Sequence, residues 1–130
     1  QAIDHLNQVV EYQPNNAEVL AQRSSLLWDS GKSDQALQDL TVALQAQPDN
    51  PEWYFQRGNI RFYMGDLQGA IADYTEALHL DESYSDAYVN RGSARAERGD
   101  EEGAVQDYSS ALDLASEPKV RSSAYLNRCL

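Results

Sequence analysis

The sequence predicts an all-α solenoid, in which antiparallel helix pairs are stacked side by side. Residues 51–84 match residues 17–50 and 85–118 without a gap, so the chain repeats itself every 34 residues. Apolar and small residues recur in each copy at helical spacing. A glycine falls at the same place in each copy, between two helical stretches, at Gly31, Gly65 and Gly99. Such a period is typical of repeat arrays, whose units bury their apolar faces only against neighbouring units.

The first segment, residues 1–16, matches the second half of a copy. Ala2 takes the place of Ala36, and Pro14 takes the place of Pro48. Its apolar residues have helical spacing, and Pro14 followed by two asparagines is a helix stop. We therefore expect one helix here, the second helix of a partial repeat.

Each of the three full copies, residues 17–50, 51–84 and 85–118, predicts helix, tight turn, helix. In the middle copy, Asn50 is the expected N-cap, because its side chain can accept from the free N–H groups of the first turn. The first helix should run to about Met64, and glycine at the next position can adopt the left-handed conformation that ends it. The expected caps of the second helices are Ser33, Asp66 and Asp100.

Residues 119–130 begin a further copy, but out of step. Residues 124–128 match residues 87–91 at a distance of 37 rather than 34. We therefore expect a longer connection between residues 116 and 123, or a helix lengthened at its start after Pro118. Since the chain starts at Gln1 inside a repeat, we interpret it as a piece of a longer array, whose cut ends could associate head to tail.

The repeat resembles the tetratricopeptide repeat. The resemblance is carried by the period and by an aromatic residue, small residues and a second aromatic residue at matching places of the middle copy, Tyr54, Gly58, Ala70, Tyr74 and Ala77. Arginine replaces the usual leucine before the glycine, and the usual terminal proline is lost from the later copies. The resemblance implies a right-handed superhelix. It also implies a protein–protein interaction scaffold or adaptor that holds a peptide or helix in its concave groove.

The chain is strongly acidic, with a net charge of −11 over 130 residues. The three full copies carry −3, −4 and −5, so the charge is spread along the array. This argues against nucleic acid and against an anionic membrane surface, since both require basic footprints. No apolar run approaches the roughly 20 residues of a membrane span. We expect a protein or peptide partner with basic and apolar residues.

The candidate binding residues follow from the resemblance, which implies that the first helix of each copy lines the concave face. The expected groove has an aromatic centre and an acidic rim, and its residues are Trp28, Glu52, Phe55, Asn59, Phe62, Tyr63, Asp86, Val89, Asn90 and Glu97. Aromatic rings offer rigid contact area, and asparagine can bond a peptide backbone as donor and acceptor. The alternative for each ring is simple packing between neighbouring helices.

Some members of the family bind the C-terminal carboxylate of heat-shock chaperones through a clamp of lysine, asparagine and arginine. In this chain the corresponding basic positions hold Ala21, Asp86 and Asn90. Shifting the comparison by one repeat recovers Asn59 and Asn90 but supplies no lysine. Carboxylates nearby would repel a carboxylate ligand, so we predict that this chain does not bind that partner.

Arginines and aspartates recur in step, at Arg23, Arg57 and Arg91 and at Asp39, Asp73 and Asp107. One interpretation is an arginine ladder that faces an acidic ligand. The matched recurrence favours the other, an ion-pair ladder between helices, because a mostly buried arginine needs a carboxylate partner. Arg61 and Arg95 either extend this network or reach the groove.

Catalytic and cofactor signals are absent from the sequence. His5 and His79 have no metal-ligand neighbour three or four residues away. Cys129 is the only cysteine, so neither an intramolecular disulfide nor a multi-cysteine metal site can form. We predict no catalytic site, no metal and no cofactor. The predicted function is therefore an interaction scaffold. The alternative is a self-associating spacer whose groove has no specific ligand.

Overall fold

The computed structural model describes the backbone of residues 2–129 and the side chains of residues 2–116. This part of the chain forms helices and no strand, which confirms the predicted all-α solenoid. The helices are α1 (Ala2–Tyr12), α2 (Ala17–Asp29), α3 (Ser33–Ala46), α4 (Pro51–Tyr63), α5 (Leu67–Leu80), α6 (Ser85–Glu97) and α7 (Glu101–Cys129). None of the described helices is both long enough and apolar enough to cross a bilayer.

The helices pack in the order in which they occur along the chain. The closest pairings are α2 with α3, α4 with α5, and α6 with α7, and each pair then contacts the next through α3–α4 and α5–α6. α1 packs on α2 as the second helix of a partial repeat would. The first helices of the three copies, α2, α4 and α6, therefore succeed one another along one side of the array.

The turns inside the copies depend on glycine. Gly31, Gly65 and Gly99 have φ values of 81°, 89° and 90°, in the left-handed region that side chains other than glycine rarely adopt. The expected cap Asp66 accepts a hydrogen bond from Gly69 N at 2.9 Å, and Asp100 accepts the equivalent bond from Gly103 N.

The expectation that Ser33 caps α3 is wrong. Ser33 is the first residue inside the helix, and Lys32 occupies the N-cap position without a side-chain hydrogen bond. The reason is the register, since Lys32 corresponds to Asp66 and a lysine side chain has no acceptor. The N-cap predicted at Asn50 is confirmed, because its side chain accepts from Trp53 N at 3.3 Å.

Small residues at the crossing points allow the paired helices to approach closely. Ala36, Ala70 and Ala77 are completely buried. The glycine at position 58 lies against the fully buried ring of Tyr74, where a Cβ atom would come within 2.7 Å of Tyr74 Cε1. The middle copy can therefore hold a large ring in its core only because the facing residue has no side chain.

The expected break near residues 116–123 is wrong, because α7 continues as one helix from Glu101 to Cys129. α3 and α5 end at Ala46 and Leu80, before the C-cap residues Gln47 and Asp81. The residue of α7 that corresponds to these caps is Ala115, and alanine has the highest helix propensity. The assignment of residues 119–130 to a further repeat stays a prediction, and the side chains of these residues lie outside the described part.

The last described face of the array lacks a covering helix. Leu44 and Leu78, which occupy the same position in the first two copies, are 4% and 6% exposed because the next copy packs on them. The third member of the series, Leu112, is 69% exposed. The difference measures how much each copy depends on its neighbour for burial of its apolar face.

Candidate functional site

An aromatic pair marks the middle of the predicted groove. Trp28 at the end of α2 and Tyr63 at the end of α4 meet edge to face, with ring centroids 5.0 Å apart and an interplanar angle of 87°. Trp28 is half-buried against the core, whereas Tyr63 is 75% exposed. We call these two residues the aromatic ledge. Packing on Trp28 holds the Tyr63 ring in place while leaving most of it accessible to a ligand.

Asn59 joins three helices beside the ledge. Its Oδ1 atom accepts from the Tyr74 hydroxyl at 2.6 Å and from Asn90 Nδ2 at 2.8 Å. Asn59 Nδ2 and Asn90 Oδ1 have no hydrogen-bond partner among the described residues. The two amides together therefore present an unused donor group, Asn59 Nδ2, and an unused acceptor, Asn90 Oδ1, the two kinds of group that a peptide backbone requires. We call Asn59 and Asn90 the asparagine pair.

Two shallow hollows flank Asn59. One, of about 170 Å³, is lined by residues of α2, α3 and α4 that include Trp28. The other, of about 270 Å³, is lined by residues of α4, α5 and α6 that include Phe62, Tyr63 and Asn90. The two hollows share Asn59, and Trp28, Phe62, Tyr63 and Asn90 line one or the other of them. Their role in binding stays a prediction.

Phe55 lies elsewhere. Its ring packs against Tyr84 at 4.8 Å and against Tyr74 at 5.8 Å between ring centroids, and it is half-buried between helices. This placement corresponds to simple packing between neighbouring helices, which is the alternative to a binding role for each ring. The remaining predicted residues, Glu52, Asp86, Val89 and Glu97, are exposed.

Acidic residues surround Tyr84, whose ring packs against Phe55. Burial, followed by the carboxylates of Glu52, Asp86 and Asp81, raises the pKa of Tyr84 to about 12. Burial likewise raises the pKa of Tyr74, and the Asp73 carboxylate acts in the same direction against the opposing hydrogen bond of Asn90. The three carboxylates beside Tyr84 make the local potential negative, which favours a cationic ligand group.

Tyr74 and Tyr84 are expected to ionise above the ordinary tyrosine pKa of about 10 in an alkaline titration followed by ultraviolet difference spectroscopy. Folding raises both pKa values, so the neutral phenols contribute stability that is complete below the ordinary tyrosine pKa of about 10. For Tyr84 this contribution is lost as the pH rises through about 12. Tyr84→Phe should remove one late-ionising group. Loss of an absorbance change near pH 10 in Tyr84→Phe, rather than at about pH 12, would contradict this.

The arginine and aspartate series form ion pairs within each copy, so the favoured interpretation is confirmed. Arg57 Nε and Nη2 donate to the two oxygens of Asp73 at 2.9 and 2.7 Å. The pairs of Arg23 with Asp39 and of Arg91 with Asp107 repeat this geometry. The open question of Arg61 and Arg95 is answered as well, because both donate to the same aspartates, at 3.0 and 2.9 Å.

Sequence reasoning missed the link from each ion pair to the preceding copy. Arg91 Nη1 lies 3.1 Å from Thr75 Oγ1, and Arg57 Nη1 lies 3.4 Å from Thr41 Oγ1. The signal was present, since Thr41 and Thr75 lie 34 residues apart at the same position of successive copies. It also missed Tyr74 as the partner of Asn59, which no spacing rule indicates.

Models of the tetratricopeptide repeat match residues 1–51, 21–62 and 85–118, and a TPR repeat model matches residues 58–99. The chain belongs to the tetratricopeptide repeat family. The resemblance stated from the sequence is confirmed. No curated protein sequence matches the chain.

Solved structures with the same fold include two of MamA and one of a Spaghetti (RPAP3) domain. One MamA chain is 26% identical over 87% of this chain, and the other 25% over 88%, each with a TM-score of 0.85. This chain spans 66% and 62% of their lengths, which is less than two thirds. The first TPR of Spaghetti (RPAP3), bound to the HSP90 peptide SRMEEVD, is 30% identical over 85% of this chain and 93% of that chain, with a TM-score of 0.74.

These findings support a protein-interaction scaffold with a protein or peptide partner. The repeat is typically a non-enzymatic interaction module. In the part of the chain whose side chains are described, no group of three or more histidine, cysteine or acidic side chains is arranged to hold a metal ion.

Proposed function

We propose that the concave groove holds a peptide or helix that bears an apolar anchor and basic residues. The observation that carries this proposal is the aromatic ledge, since Tyr63 stays 75% exposed although its ring is fixed against Trp28. A large ring held in one position loses little conformational entropy on binding, which is why such rings often dominate interface energies. An apolar side chain of the ligand would rest on this ledge.

The asparagine pair supports a backbone contact beside the anchor. Its unused donor and acceptor lie in the hollow that also contains Phe62 and Tyr63. Because Tyr74 and Asn90 both donate to Asn59 Oδ1, the Asn59 amide is oriented before a ligand arrives. Preorganised donors and acceptors lower the entropic cost of recognition.

The acidic rim sets the charge of the ligand. The HSP90 peptide seen on the Spaghetti domain contains two glutamates and an aspartate. In the present chain the positions predicted for a carboxylate clamp hold Ala21, Asp86 and Asn90, and the chain carries a net charge of −11. Coulomb repulsion would oppose an acidic peptide and favour the approach of a basic one.

The test is to pan a peptide library against the wild type and to measure the selected peptides by calorimetry. We expect basic peptides with an apolar anchor, bound at least about 30-fold more weakly by Trp28→Ala/Tyr63→Ala, since each hot-spot truncation costs about 2 kcal/mol or more. Tyr12→Ala is the matched control, because Tyr12 is 87% exposed on α1, which contributes no residue to the groove. Affinity should also fall with added salt.

Two results would contradict the proposal. One is selection of peptides whose affinity is the same for the wild type and the ledge variant. The other is concentration-dependent assembly in light scattering that Trp28→Ala/Tyr63→Ala abolishes, which would make a second copy of the chain the occupant of the groove. Assembly that persists in this variant would instead place the contact away from the groove.

A further inference from the structure

The three ion pairs of the array are not equivalent. Asp73 receives Arg57 and a second guanidinium from Arg61, whose Nη1 lies 3.0 Å from Asp73 Oδ2. Asp107 receives Arg91 and Arg95 in the same way. In the first copy, Arg23 is the only described arginine that donates to Asp39, because the position of the second arginine is taken by Leu27.

The missing guanidinium leaves a cleft. About 470 Å³ lies open between α1, α2 and α3, lined by Ile3, Arg23, Leu27, Lys32 and Asp39 among others. The corresponding cleft of the third copy, which Arg95 enters, measures about 320 Å³.

The exposure of the carboxylates agrees with this. The side chain of Asp39 is 8% exposed, against 3% for Asp73 and Asp107. Asp39 Oδ2 therefore keeps the acceptor site that a second guanidinium uses in the other two copies.

Lys32 is the cation of this chain that competes for the open acceptor site of Asp39. It corresponds to Asp66 and Asp100, so the first copy has lost an arginine and gained a lysine at the same cleft. Lys32 nevertheless forms no ion pair with any described residue. An ammonium is a point charge on a flexible stem, whereas the planar guanidinium fits the carboxylate as a fork and loses less freedom per bond. Lys32 thus lines the cleft but does not occupy it.

We propose that this cleft binds the guanidinium of an arginine side chain from a partner protein. The arginine would donate to Asp39 Oδ2, as Arg61 and Arg95 donate to their aspartates, while its methylene stem lies along Leu27 and Ile3. The site lies outside the groove and shares no residue with the aromatic ledge or the asparagine pair. It would give the scaffold a second point of contact with a basic partner.

The probe is acetyl-Gly-Arg-Gly-amide, titrated into the full chain and followed by the NMR signals of the Arg23 Nε–H group and the Asp39 amide. We expect saturable shifts at both. The lysine peptide should bind several-fold more weakly, and the citrulline peptide, which keeps the shape without the charge, at least tenfold more weakly. Leu27→Arg, which supplies the guanidinium from the chain itself, should abolish the shifts.

Arg95→Leu provides the second variant, because it opens the matching cleft at Asp107 without touching the first copy. It should add a second set of saturable shifts, at Arg91, and this gain does not depend on the folding of Leu27→Arg. Equal shifts with the citrulline peptide, or unchanged shifts in a folded Leu27→Arg, would overturn the proposal. If the arginine peptide binds only after Lys32→Ala, then Lys32 occupies the cleft in the wild type, and this result would overturn the proposal as well.

Discussion

Replacing Asp73 by asparagine is expected to lower the free energy of unfolding by about 3–5 kcal/mol, the cost of breaking a buried ion pair from one side. Asp73 is 2% exposed and accepts from Arg57 and Arg61. The asparagine amide is neutral and offers one oxygen, so two mostly buried cations would lose their counter-charge. Urea unfolding followed by circular dichroism would measure the loss.

The first copy supplies the matched comparison. Asp39→Asn should cost less than Asp73→Asn, because Asp39 neutralises one arginine and its side chain is more exposed. Glu82→Gln, an exposed change in the turn before α6, should stay within about 0.5 kcal/mol of the wild type. Equal losses of unfolding free energy in Asp39→Asn and Asp73→Asn would show that the second arginine does not increase the dependence of stability on the carboxylate.

Much of this fold could be predicted because each local sequence pattern occurs in all three full copies of the repeat. The turns at Gly31, Gly65 and Gly99 follow from one backbone requirement, a left-handed residue between two helices. The ion pairs follow in the same way. An arginine and an aspartate that recur together, on two helices that must pack, leave few other arrangements that avoid buried unpaired charge.

The sequence could not predict features that depend on which atoms meet across helices. The bond between Asn59 and Asn90 joins two different copies at 2.8 Å, and no periodicity specifies that distance. The sequence pattern also did not predict that α7 continues past Ala115, because the second helices of the earlier copies end at this position and Pro118 is disfavoured inside a helix. The assignment of individual rings also required the structure, since Phe55 and Tyr63 have similar apolar character and different surroundings.

The core and the groove meet at Tyr74, and the copies differ there in a coordinated way. In the middle copy a large ring faces Gly58, whereas in the first copy Leu40 takes the place of the ring and Ser24 that of the glycine. Ser24 Oγ donates to Ala36 O at 2.7 Å, so the serine is satisfied inside the core. The third copy keeps the glycine–tyrosine pair as Gly92 and Tyr108, but the Tyr108 hydroxyl lies 3.1 Å from Ser93 Oγ, whereas the Tyr74 hydroxyl donates to Asn59.

Tyr74→Ala is expected to cost about 3–5 kcal/mol of unfolding free energy, because Tyr74 is fully buried and its removal leaves a cavity. Tyr74→Leu should cost less, about 1–3 kcal/mol, since part of the volume is kept. Gly58→Ser alone should also destabilise by about 1–3 kcal/mol, because a Cβ atom there would lie 2.7 Å from Tyr74 Cε1.

The double variant Gly58→Ser/Tyr74→Leu installs the pair found in the first copy and should recover at least about 1 kcal/mol of the summed losses. Urea unfolding of the four proteins in this double-mutant cycle gives the coupling directly. Both Tyr74→Leu variants should also lose the hydrogen bond that orients Asn59, so groove binding should stay weakened even where stability returns. If the two losses of unfolding free energy are strictly additive, Gly58 and Tyr74 are not energetically coupled. The close approach of α4 and α5 would then not require these two residues to be matched.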